Sequence, residues 1–446
     1  MLNKSIFKSY DIRGIYPKEL DAKTTYVIGQ AFIKRTGAKK VAVGRDARIS
    51  SPALFKDLAE GIISEGADVY DVGQLPTECL YFTVGKYNFD AGIMITASHN
   101  PKEYNGFKMM IKEENYIEIV RGKDLLNFIN EDFHSHAPTR ESEVFKKDIL
   151  QDYLNYILKF SGKIKPFKIV VDASNGVIGK AILSVRDKLP TEIIALNFEP
   201  DGNFPNHSPN PLAEGSSDQI KNKIINQKAD FGFIFDADGD RIFLVDENGQ
   251  LVSADIALLF LAKYFLQKNP GSVITYNAIC SRAVPEFIRK WGGKPVRTAV
   301  GFVNVREGLI KNNGVMGGEL SGHYCFKDYF YMDSGMITFL TLLQVISEDG
   351  RKVSDIIKEL SLYFKSAELN FEVKNKDEIL QKIKEKYSDG KQDFLDGVTV
   401  EYKDWWFNVR PSNTEPLLRL TIEADTKEIL ESKKKELENF INSQQI

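Results

Sequence analysis

The chain has 446 residues, of which 43% are hydrophobic and 27% charged. That is ordinary globular composition, long enough for about three domains, and it excludes disorder and fibrous repeats. Lys and Arg number 59 against 62 Asp and Glu, a net charge of −3, which gives no electrostatic case for nucleic acid or an anionic membrane as the main partner.

The N-terminal stretch MLNKSIFKSYDIRG lacks the apolar core of a secretory signal. KKVAVGRD, near 39–46, reads as a strand closing on a polar turn, and SPALFKDLAEGIISEG follows with the Ser-Pro start and Gly end of a helix. ADVYDVG and DAGIMITASHN are the next strands. FKIVVDASNG, ADFGFIFDADGD, GSVITYNAICS and GKPVRTAVG repeat the theme of a β-branched or aromatic run ending on a small polar turn. Strands alternating with helices in this rhythm predict α/β units with mixed, largely parallel, buried sheets.

From about Phe364 the pattern changes to AELNFEVKN, a Lys-rich helix, GVTVEYKDWWFNVR, LLRLTIEAD and a last charged helix. Strands and helices in so short a segment predict a smaller α+β domain with an antiparallel sheet. The expected domains are 1–146, 147–249, 250–364 and 365–446, with the Lys-rich helices as solvated faces. The apolar stretches ADIALLFLAKYFL and MITFLTLLQVI fall short of the ~20 residues needed to span a bilayer. Cys79, Cys280 and Cys325 are odd in number, scattered and without C-x-x-C spacing, so free thiols in a reducing cytoplasm are expected.

Four polar turns carry candidate chemistry. Ser98 ends the apolar run IMITASHN, at the carboxyl end of a predicted strand, where open α/β sheets bind ligands. In FGFIFDADGDR, Asp236, Asp238 and Asp240 stand at alternate positions after a strand. Three such carboxylates repel unless a cation sits among them, and hard oxygen ligands favour Mg²⁺ or Ca²⁺. An EF-hand is excluded because Arg241 occupies the loop's sixth position and a strand, not a helix, precedes it. Glu319, Ser321 and His323 of GGELSGH ride on glycine turns that let backbone approach a ligand, and they suit sugar hydroxyls. In NVRPSNTEP, Arg410 can fork onto a phosphate while Ser412, Asn413 and Thr414 complete a nest.

With FKSYDIRG at 7–14, TASHNP, DADGDR, GELSGH and RPSNTEP in this order, almost the whole chain resembles the α-D-phosphohexomutases, specifically the phosphomannomutase/phosphoglucomutase group. The resemblance implies three related α/β domains and a distinct fourth around a central cleft. It implies that Ser98 is the phosphoserine and a metal ligand, and that Asp236, Asp238 and Asp240 hold Mg²⁺. It also implies sugar contacts at Glu319, Ser321 and His323 and a phosphate grip at Arg410, Ser412, Asn413 and Thr414. Tyr10 and Arg13 match the family's N-terminal active-site pair, and Lys108 its N-G-x-K lysine. One loop departs: many relatives read V-G-H followed later by Lys where this chain has Val300-Gly301-Phe302 and Arg306. Gly301 is still expected at the substrate, but Phe302 cannot donate the family histidine's hydrogen bond. Ile279 likewise replaces a lysine found in some members.

The reaction so implied passes the phosphoryl group of phospho-Ser98 to a hydroxyl of a hexose phosphate. The resulting 1,6-bisphosphate turns in the site and returns its other phosphate to Ser98. Arg241 and Arg13 supply positive charge, and His99, His323 and Lys108 are the candidates for proton transfer. His134, His136 and His207 sit in polar stretches and are read as structural or solvated. A hexose 1,6-bisphosphate is the expected activator, hexose phosphates the expected partners, and a monomer or homodimer the expected state. Mannose and/or glucose phosphates are the first reading of the substrate, with phosphoglucosamine mutase as the alternative. A metal-dependent sugar phosphatase using Asp236 as nucleophile, and a non-catalytic sugar-phosphate binder, are the competing classes.

Overall fold

The computed structural model describes residues 2–129, 142–412 and 417–444. It divides into two compact units, Met1–Ser253 with Ser321–Ser354, and Ala254–Leu320 with Asp355–Ile446.

In the first unit, strands Lys40–Arg45, Asp68–Gln74 and Ala91–Ile95 run parallel, and Ala91–Ile95 continues antiparallel to Tyr104–Lys112, which pairs with Ile12–Ile15 and Ile117–Val120. Every residue of Ala91–Ile95 is buried. A strand covered on both faces must be apolar throughout, which is why AGIMI has no polar alternation. Helices Ala22–Thr36 and Ser51–Ser64 pack on this sheet through a cluster that includes Ile28, Phe32, Leu54, Leu58, Val41, Val43 and Ile93. The helix pair approaches closely at Gly61, where an added Cβ would lie 2.0 Å from the Tyr26 carbonyl oxygen.

A second sheet follows in the same unit. Strands Phe231–Phe235, Lys168–Asp172 and Glu192–Leu196 are parallel, and Ile242–Val245 returns antiparallel to Phe231–Phe235. Phe231–Phe235 is buried at every position. The unit is completed by the antiparallel pair Tyr324–Phe326 and Met332–Asp333 and by helix Gly335–Asp349, whose first turn is capped by the Ser334 side chain.

The second unit carries a parallel trio, Lys294–Thr298, Val273–Asn277 and Met316–Gly318. Its other sheet is antiparallel throughout. Leu417–Ala424 pairs with Phe364–Lys365, Leu369–Glu372 and Trp405–Pro411, and the order continues to Val398–Glu401 and Lys391–Asp393. Helices Lys376–Lys386 and Lys427–Ser443 bury Ile383, Leu437 and Ile441 against Phe407, Val409 and Leu420. The C-terminal change from parallel to antiparallel pairing agrees with the pattern read from the chain. Among the described residues no helix is long and apolar enough to cross a membrane. All three cysteines are buried and free.

Candidate active site

Ser98 stands just beyond strand Ala91–Ile95 with φ 50°, a left-handed backbone that non-glycine residues seldom adopt. It is fully buried, and its Oγ donates to Asp236 Oδ2 at 2.7 Å, with His99 Nδ1 3.3 Å away. Asp236, Asp238 and Asp240 follow strand Phe231–Phe235, and Gly239 at φ 77° turns the chain so that the three carboxylates converge. One oxygen from each lies within 4.8 Å of the others.

Local donors hold this turn. Asp236 Oδ1 accepts the backbone N–H groups of Gly239 and Arg241 at 3.1 and 3.3 Å. Asp238 Oδ2 accepts Thr77 Oγ1 and Lys108 Nζ, each at 2.7 Å, and Lys108 Nζ also donates to Asp240 Oδ2. Asp238 Oδ1 is buried and accepts no hydrogen bond among the described residues. An anionic, all-oxygen group with an unsatisfied carboxylate oxygen fits a hard divalent cation.

The three carboxyls differ electrostatically. Burial, with Asp238 and Asp240 beside it, pushes Asp236 up to about 8. Burial also presses on Asp238, yet Lys108 and Thr77 outweigh it and the pKa falls. Asp240 is held well below the carboxylate range by Lys108, His323 and Arg241 in spite of its burial. Lys108 is itself buried, but Asp238 and Asp240 keep its pKa raised, so it is a fixed ammonium. Burial, then Arg241 and Arg13, drives His99 well below its ordinary value, so its imidazole is neutral.

Around this centre, Arg13 Nε donates to Asp11 Oδ2 at 2.8 Å, while its Nη1 reaches Ala97 O at 3.3 Å and Asn100 Oδ1. Arg241 Nε lies 3.6 Å from Asp236 Oδ2 and 3.3 Å from His323 Nε2. His323 Nδ1 meets Ser321 Oγ at 2.7 Å, and its Nε2 is 3.5 Å from Asp240 Oδ1 and 3.6 Å from Asp333 Oδ2. Tyr10 faces Arg121, whose guanidinium carbon is 6.0 Å from its ring centre.

The first unit thus brings Ser98, His99, Lys108, Arg13, the aspartate triad, Arg241, Ser321 and His323 together. Tyr10 lies in the first unit too, against Arg121, whereas Gly301, Glu319, Arg410 and Ser412 belong to the second unit. Glu319 is buried, and its Oε2 accepts Gly301 N at 3.0 Å and Asn277 Nδ2 at 3.3 Å. Phe302 opens helix Phe302–Lys311, and Ile279 is buried. Arg410 Nη2 donates to Glu368 Oε2 at 2.6 Å, and Ser412 N to Leu417 O at 2.8 Å. Asn413 and Thr414 lie outside the described residues, as do His134 and His136. His207 is structural: its Nε2 sits 3.2 Å from Asp172 Oδ2.

Sequence reasoning missed Thr77, Thr96 and Asp333. Thr77 opens helix Thr77–Lys86 and also donates its N–H to Asp238 O at 2.9 Å. Thr96 Oγ1 lies 3.2 Å from Asp238 Oδ2. Asp333 is fully buried, and burial with Asp240 nearby raises it to about 7. Each acts across long sequence separations, so only Thr77's place after a Leu-Pro break at a helix start marked it locally.

Four phosphoglucomutase/phosphomannomutase models match in succession: α/β/α domain I at 4–130, domain II at 151–249, domain III at 253–363, and the C-terminal domain at 368–439. The chain is 38% identical over 440 residues to a phosphomannomutase of Methanocaldococcus jannaschii, covering 98% of this chain and 97% of that one. It is 35% identical over 439 residues to a phosphomannomutase/phosphoglucomutase of Pseudomonas aeruginosa, covering 96% and 94%. A crystal structure of a phosphoglucomutase/phosphomannomutase family protein from Burkholderia thailandensis superposes with a TM-score of 0.89 at 32% identity, over 99% and 98% of the two chains. With four consecutive domain matches and full-length likeness at these identities, the chain belongs to the phosphoglucomutase/phosphomannomutase family of phosphohexomutases.

Proposed function

We propose that the chain interconverts hexose 1-phosphate and hexose 6-phosphate, with mannose and/or glucose phosphates as substrates and Ser98 as the phosphoryl carrier. The supporting observation is the 2.7 Å contact of Ser98 Oγ with Asp236, inside a converging aspartate triad. Boundaries near 146, 249 and 364 would give each domain one functional loop.

Asp236, Asp238, Asp240 and the Ser98 oxygen would hold Mg²⁺, which when bound neutralises phosphoryl charge. The first half-reaction breaks the P–O bond to Ser98 Oγ and forms one to the free sugar hydroxyl, whose proton passes to a base while the departing Ser98 oxygen takes up a proton. The second reverses this at the other end of the 1,6-bisphosphate and restores phospho-Ser98. His99, neutral and 3.3 Å from Ser98 Oγ, would take the proton when that oxygen attacks and give it back when the oxygen leaves. Lys108, fixed as an ammonium by two carboxylates, serves as counter-charge to the phosphoryl oxygens. Arg13 and Arg241 add to that charge. Glu319, Ser321 and His323 would read sugar hydroxyls, and Arg410 and Ser412, with Asn413 and Thr414, the distal phosphate. Exogenous hexose 1,6-bisphosphate would prime Ser98. The buried free thiols fit a cytoplasmic enzyme.

The phosphatase reading is disfavoured because the four domain matches and the full-length relatives are mutases by description. Isotope exchange between hexose 1- and 6-phosphates in the presence of the bisphosphate tests the proposal, with Ser98→Ala as control. Loss of exchange in S98A is expected, and release of free phosphate in place of exchange would refute it. Comparing kcat/KM for mannose, glucose and glucosamine 1-phosphates then identifies the sugar, and a preference for the amino sugar would overturn the assignment.

A further inference from the structure

Arg48 lies between strand Lys40–Arg45 and helix Ser51–Ser64, and its side chain is 0% exposed. A guanidinium has five N–H donors and no acceptor. Here all five are used. Nε donates to Asp46 Oδ2 at 3.1 Å, Nη1 to Pro101 O at 2.7 Å and Tyr104 O at 2.9 Å, and Nη2 to Ser98 O and Asn100 O, each at 2.7 Å. Four of the five bonds therefore end on backbone carbonyls of the segment that begins with Ser98.

Asp46 fixes the other side of this arrangement. Its Oδ1 accepts Arg48 N and Ser51 Oγ, both at 2.9 Å, and its Oδ2 accepts Thr96 Oγ1 at 2.8 Å. The same Thr96 oxygen accepts Ser98 N at 2.8 Å. Ser98 is thus tied through its carbonyl to Arg48 and through its N–H to Thr96, and both ties meet at Asp46. Phe204 covers the outer side of Arg48, its ring centre 5.2 Å from the guanidinium carbon. Gly202 allows that approach, because a Cβ there would lie 2.5 Å from Ala47 O.

A non-glycine residue in left-handed backbone persists only where its surroundings over-determine it. We propose that Arg48, anchored by Asp46 and Thr96, is a positioning residue that holds the Ser98 loop in the strained backbone presenting Oγ to the aspartate triad. Arg48 touches no reacting atom, and its effect lies in the alignment of the transferred group rather than in substrate affinity. The inference rests on Ser98 being the phosphoryl carrier.

The test compares wild type with Arg48→Lys, Arg48→Gln, Thr96→Val and Ser98→Ala in steady state, using glucose 1-phosphate or mannose 1-phosphate, the matching 1,6-bisphosphate and Mg²⁺. Intact-protein mass spectrometry follows loading of Ser98 in the same samples, so that kcat is expressed per loaded molecule. Misalignment of a reacting group by about 1 Å costs about 100-fold in rate, and a loss of that order in kcat is expected for R48K and R48Q, with KM nearly unchanged. Lysine has three donors on one point charge and should not rescue. T96V, which removes one hydroxyl, should lower kcat by about tenfold with the same constancy of KM and decides the matter if the Arg48 variants do not fold. Wild-type kcat per loaded molecule in R48K or T96V, or KM rising in step with the loss, overturns the inference. Turnover retained in S98A would instead overturn the carrier reading itself.

Discussion

Glu78 sits in helix Thr77–Lys86 with its side chain fully buried, facing the start of helix Gly335–Asp349. Its carboxyl accepts Met336 N at 3.1 Å and the Ser334 hydroxyl. Burial, outweighing those hydrogen bonds, raises its pKa from the usual 4.5 to about 8. Below about 4.5 folded and unfolded chains both hold the proton, and above about 8 neither does. Between the two only the folded protein keeps it, so stability falls as pH rises through that window. At about 1.4 kcal/mol per pH unit, the full difference is about 5 kcal/mol. Glu78→Gln replaces the carboxyl with a group of similar shape that never ionises. Unfolding free energies of wild type and E78Q should be close at about pH 5, while E78Q should be the more stable by several kcal/mol at about pH 9. Denaturant unfolding at a series of pH values measures the gap. A gap that stays constant from the acid to the alkaline end would refute the reasoning, because it would mean Glu78 ionises alike in both states.

Three other outcomes are expected. Mg²⁺ at about 100 times its Kd should stabilise the wild-type protein by about 2.7 kcal/mol in thermal-shift or denaturant experiments, EDTA should reverse the gain, and Asp238→Asn should lose most of it. Gly61→Ala should destabilise by about 1–3 kcal/mol, because the new methyl meets the Tyr26 carbonyl and forces the two helices apart; an unchanged unfolding midpoint would contradict the packing. Burial opposes the charge on His207, yet Asp172 outweighs it and raises the imidazole above its ordinary value. Its stabilising charge is therefore complete below about pH 6.5 and lost as pH rises through the higher folded value, so His207→Gln should cost more stability in mild acid than in mild alkali.

The candidate site turns were legible because an apolar run has to stop somewhere. AGIMI and FGFIF are buried at every position, and the first polar residues after them, at 96–98 and at 236–240, are delivered to the strand ends by that fact alone. The heptapeptide GGELSGH was less transparent. It reads as one loop, but Glu319 and His323 belong to different units and meet different partners, Gly301 and Asn277 for the first, Asp240 and Asp333 for the second. Nothing in the local letters separates them.

Arg48 was illegible for a stronger reason. Arginine is almost never fully buried unless it is paired, so a reader of VGRDARISS assigns it to solvent. Here it is among the largest fully buried side chains, and its carbonyl partners begin 50 positions further along. A group that meets substrate has to stand where an apolar run ends, and so leaves a mark in its own neighbourhood. A group that holds the loop from behind is fixed by acceptors that other segments supply. Its burial follows from the fold, and the same letters on a different scaffold would be a solvated turn. The two kinds of residue differ in legibility because one is placed by the pattern around it and the other by distant backbone.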